Sequence, residues 1–165
     1  MTEASLLEVT AEISVAFAGF IGIFLVLATR EGRFPGGAAL TIRTIVICSV
    51  GPVFYSALPL VLHALGVSGP PLWQVSSLAV GLIAVAATAY MARYSRTVPH
   101  AERWPFLSFQ NLVGSMFAAV MFTCHFGNAL AWPWAPSGGV YLLAIWSTVA
   151  IAGTNFVELI FREVL

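Results

Sequence analysis

From Ile13 to Thr29 the chain carries no charge, and Glu12 and Arg30 bracket that run. With its flanks, EVTAEISVAFAGFIGIFLVLATR is long enough as a helix, at ~1.5 Å per residue, to cross a bilayer core of ~30 Å. This restricts the fold severely. Hydrocarbon offers no partner for a backbone N–H or C=O, so a spanning segment has to satisfy its own, as a helix does. On such a helix Glu8, Glu12, Val15, Gly19, Gly22 and Val26 share one face, acidic at one end and small in the middle.

Four further apolar blocks follow, and together they exclude a soluble domain. The 165 residues are 59% hydrophobic and 8% charged, with mean hydropathy +0.93, which is too little charge to cover a water-facing surface. The expected architecture is all-α: a single polytopic bundle of five transmembrane helices. The expected spans are about Leu6–Thr29, Ala38–Leu65, Leu72–Tyr94, Phe106–Trp132 and Val140–Phe161. The first block is too long, and too acidic at its start, for a cleaved signal peptide. Zero net charge leaves no nucleic-acid footprint, so the expected partners are the bilayer and further copies of the chain.

Arginine sets the expected orientation. All seven basic residues are arginines, at 30, 33, 43, 93, 96, 103 and 162. With five spans they all fall on one side. The positive-inside rule then puts the N-terminus outside and the C-terminus in the cytoplasm. Trp73, Trp132 and Trp134 would belt the outer interface and Trp104 the inner one. The opening AEISVAFAGFIGI resembles small bacterial membrane proteins. That likeness points to a bacterial inner membrane and implies no activity.

Two groups of polar residues stand out by depth. Counted from the arginine-bearing ends, Glu12, His63 and His125 lie ~26–28 Å up three different spans. Gln74 and Asn128 lie near the same level, and the five make an expected outer cluster. Arg43, Gln110, Asn111, Asn155 and Glu158 make an inner cluster, in which Arg43 and Glu158 are the expected ion pair. Between the clusters run stripes of small residues: Ser14, Ala18 and Gly22; Ser77, Gly81, Ala84 and Thr88; Gly114, Ser115 and Ala118; Ala144, Ser147 and Thr154. Such stripes serve close helix packing first. They would also suit a narrow constriction between two polar vestibules. Pro52 and Pro59 bend the second span, and such bends often widen a cavity. Cys48 and Cys124 differ in depth by ~20 Å and are expected to be free thiols.

These features favour a transport-type or pore-forming bundle for an ion or small solute, homo-oligomeric and without a cofactor. Three other readings compete with it. One is an accessory or scaffolding membrane protein. One is a redox anchor with His63 and His125 as axial ligands of a b-type haem. The third is a zinc site or membrane enzyme built from Glu12, His63 and His125. No nucleophile, phosphate-loop or Cys-x-x-Cys motif accompanies them.

Overall fold

The structure is a computed structural model that describes residues 2–30, 38–97 and 109–163, with the side chains at 28–30, 38–39, 109–111 and 162–163 excluded. Among the described residues it is all-helical. The helices are α1 (Glu3–Arg30), α2 (Ala38–Ala64), α3 (Pro70–Ser95), α4 (Phe109–Leu130) and α5 (Gly138–Glu163). All five are long and apolar enough to cross a membrane. The expected ends hold to within a few residues where they can be compared. The expected start of α4 at Phe106 lies outside the described residues, as do Arg33, Arg103 and Trp104.

Local chemistry explains the boundaries. Gly69 adopts φ 65°, open to glycine without strain, and Pro70 and Pro71 open α3, where a missing N–H costs nothing. At the other end of the next helix, Ala131 turns to φ 54° and stops α4 two residues before the expected Trp132. Leu65 lies just past the end of α2, where the Gly66 and Val67 amides donate to the His63 and Leu62 carbonyls.

The helices alternate in direction, which gives the bundle a tryptophan end (Trp73, Trp132, Trp134) and an arginine end (Arg43, Arg93, Arg96). Helices α2, α3, α4 and α5 form a ring, and α2 and α4, on its diagonal, share no close backbone contact among the described residues. Helix α5 touches all four others and is the most buried span. Helix α1 lies outside the ring against α2 and α5 and is the least buried. The first span, which dominates the sequence, is thus peripheral.

Its docking face is Leu7, Thr10, Ser14 and Ile21, all buried. The Thr10 and Ser14 hydroxyls donate to Leu6 and Thr10 carbonyls at 2.7 Å, so neither is left unsatisfied. Phe156 of α5 receives Phe17, Phe20 and Phe24 edge to face, with centroids 6.2, 5.7 and 5.1 Å away. Each such pair contributes ~0.5–1.5 kcal/mol beyond its buried area. The face of Glu8, Glu12, Val15, Gly19, Gly22 and Val26 points away from the bundle and is exposed throughout. A Cβ at Gly19 or Gly22 would meet nothing within 4 Å, so these glycines do not serve packing inside the chain.

Candidate functional site

Burial divides the expected outer cluster. His125 and Asn128 are wholly buried, Gln74 is half-buried, and Glu12 and His63 are exposed. Among the described residues, no three His, Cys, Asp or Glu side chains come close enough to hold a metal ion. Matched depth therefore did not mean convergence. Glu12 faces outward from the peripheral helix, and His63 lies on the open side of the last turn of α2. His125 is enclosed, its Cβ close to Gly81 of α3 and its ring against Tyr141 of α5. The donors proposed for zinc are not assembled. Of the two histidines proposed for haem, His125 is buried and His63 is exposed.

What the bundle assembles at the tryptophan end is a polar clasp around Asn128. The Asn128 amide nitrogen donates to Ser77 Oγ at 2.8 Å and to the Ser137 carbonyl at 3.2 Å. Its amide oxygen accepts the Ser137 N–H at 2.8 Å. One side chain thus ties α3, α4 and the start of α5. Gln74 reaches the Ala129 carbonyl at 3.5 Å. Two glycines admit close approaches here. At Gly127 a Cβ would lie 2.6 Å from the Trp134 ring, and at Gly138 it would lie 2.6 Å from the Glu3 carboxyl and 2.8 Å from the Trp73 ring.

Below the clasp lies a link between α2 and α5 that begins with a proline. Pro59 has no N–H, so the Tyr55 carbonyl four residues earlier loses its helical partner. The Tyr141 hydroxyl supplies the bond from α5 at 2.7 Å. Tyr141 is 0% exposed, wedged between the Trp73 ring at 5.8 Å and the His125 ring at 5.6 Å. Neither nitrogen of His125 has a hydrogen-bond partner among the described residues. This layer closes the middle of the ring toward the tryptophan end.

Toward the arginine end the ring is hollow. A cavity of about 240 Å³ opens where α2 and α4 stand apart. Helix α2 lines it with Thr44, Ile47, Cys48 and Tyr55, and α3 with Ala84, Ala87, Thr88 and Met91. Helix α4 adds Gly114, Ala118, Met121 and Phe122, and α5 adds Thr148 and Ile151. The stripes on α3 and α4 therefore do two jobs. Ser77 and Gly81 pack, whereas Thr88, Gly114 and Ala118 face the hollow. A Cβ at Gly114 would meet nothing within 4 Å.

The inner cluster is also rearranged. Arg43 turns to α3, where its Nη1 donates to the Tyr90 hydroxyl and its guanidinium lies 4.0 Å from the centre of the Tyr94 ring. These contacts stand where a pair with Glu158 was expected. A planar guanidinium suits both a hydroxyl acceptor and an aromatic face. Glu158 is 2% exposed on α5. Asn155 donates to its own helix at the Ile151 carbonyl, 2.7 Å away. Gln110 and Asn111 fall in the first turn of α4, their side chains outside the described residues. Cys48 and Cys124 are free thiols.

Sequence reading missed Tyr55 and Tyr141. A signal was present: a tyrosine four residues before an internal proline marks a carbonyl that needs a donor from another helix. Compared with protein-family models, curated proteins and solved structures, the chain matches none of them.

Proposed function

We propose that the chain is a transport-type membrane bundle that handles a small uncharged solute. The observation that carries this reading is the cavity of about 240 Å³ inside the α2–α5 ring, ended toward the tryptophan side by the Tyr141–His125 layer. A hollow on one side of a packed plug is the arrangement an occluding or gated path requires. Its walls lack charge, which disfavours an ion as the cargo. The orientation proposed is the one arginine predicts, with the cavity toward the cytoplasm and the clasp outside. A bacterial inner membrane is the proposed location.

The experiment is flux in proteoliposomes. Butyramide, an uncharged solute with an apolar body, should enter faster than into protein-free liposomes. A potential-sensitive dye should report no potassium conductance. Gly114→Leu, which fills the hollow, should return butyramide entry to the protein-free rate. Equal entry with and without protein would refute the transport reading.

A second reading, an accessory or scaffolding protein, draws on a different observation. The α1 face with Glu8, Glu12, Gly19 and Gly22 is open from end to end. Small residues of this kind let a second helix approach closely, and a homo-oligomer would use the face in this way.

A further inference from the structure

The cavity walls are almost uniformly apolar because their hydroxyls are already engaged. Thr44, Thr88 and Thr148 each donate back to their own helix, at the Leu40, Ala84 and Ala144 carbonyls (3.1, 2.8 and 3.2 Å). Tyr55 differs. It lines the cavity, and its hydroxyl has no hydrogen-bond partner among the described residues. Gly51 makes this placement possible, since a Cβ there would lie 2.9 Å from the Tyr55 hydroxyl and 3.0 Å from its ring. The ring therefore lies back along α2 over Gly51, and the side chain forms part of the cavity wall.

One unengaged hydroxyl, with only the weak S–H of Cys48 beside it, defines a ligand. The threonine oxygens keep lone pairs, but of the lining hydroxyls only that of Tyr55 still has its O–H to place. A dry cavity of about 150 Å³ can hold benzene, and this one is larger, at about 240 Å³. There is room for one ring with a short substituent. An acceptor on that substituent would satisfy the tyrosine O–H, a neutral donor in a low-dielectric setting. We propose that the cavity binds a small uncharged lipophile with one oxygen acceptor, of the ketone or ether class, which takes a hydrogen bond from Tyr55. This assignment names the solute class for the transport reading and rests on it.

The test is fluorine NMR of para-fluoroacetophenone and of its hydrocarbon isostere para-fluoro-α-methylstyrene. Each is titrated into nanodiscs with and without the protein. The ketone should bind about five-fold more tightly than the isostere, the effect of one added hydrogen bond. Tyr55→Phe should remove that preference and leave isostere binding unchanged. Gly114→Leu should abolish binding of both, and Ala118→Val should weaken both if the leucine variant does not fold. Equal affinities in the wild type, or a preference that survives Tyr55→Phe, would overturn the proposal. So would native mass spectrometry showing a lipid tail retained by the wild type and lost from Gly114→Leu, with neither probe bound. Ketone preference without butyramide flux refutes transport and keeps the site; flux without ketone preference does the reverse.

Discussion

Replacing Tyr141 with Phe tests the link that joins α2 to α5. The change removes one O–H and leaves the ring in place between Trp73 and His125. The Tyr55 carbonyl then loses its donor from α5, and Pro59 cannot supply one from α2. Hydrogen bonds between membrane helices average ~0.6 kcal/mol and reach ~1.7. This one, 2.7 Å long and made to a carbonyl with no helical alternative, belongs at the top of that range. The expected loss is therefore ~1–2 kcal/mol. Pro59→Ala restores the N–H at position 59 and with it the helical bond to Tyr55. In that background Tyr141→Phe should cost less than ~0.5 kcal/mol, because the hydroxyl has become redundant. Equilibrium unfolding of the four proteins in mixed detergent and SDS micelles gives the cycle directly. A coupling of ~1 kcal/mol or more is expected. Additivity within ~0.3–0.5 kcal/mol would refute the account, since the proline and the tyrosine would then act on different groups.

Asn128→Leu leaves the Ser137 amide and Ser77 hydroxyl without their partner, and the same unfolding assay should show a loss of ~2–3 kcal/mol. Gly138→Ala should cost ~1–3 kcal/mol, because the new methyl meets the Trp73 ring; an unchanged transition would show that Trp73 yields. Gly19→Leu with Gly22→Leu should leave monomer stability within ~0.5 kcal/mol, as both positions are open. If α1 is the oligomer interface, that double variant should be monomeric in crosslinking while the wild type is not. Ser68→Cys in a cysteine-free background should react with a membrane-impermeant maleimide added outside cells; labelling only after lysis would reverse the orientation.

The chain's length, its five apolar blocks and its segregated arginines determined a membrane bundle without reference to any contact. Those properties follow from hydropathy and helical rise, which are local. The sequence also contained the carbonyl freed by Pro59, although not the identity of the residue that would satisfy it. What it could not determine was rotation. A helix presents each side chain at one angle, and depth says nothing about whether that angle meets a neighbour. Glu12, His63 and His125 shared a level, yet only His125 turned inward, because α1 docks through Leu7, Thr10, Ser14 and Ile21 and leaves Glu12 on the open side. The same packing chose α5 over α1 as the centre. It also held α2 and α4 apart, so a cavity lies between stripes of small residues that in sequence looked like contact surfaces. Small side chains permit both outcomes, and only the positions of the neighbouring helices decide between them.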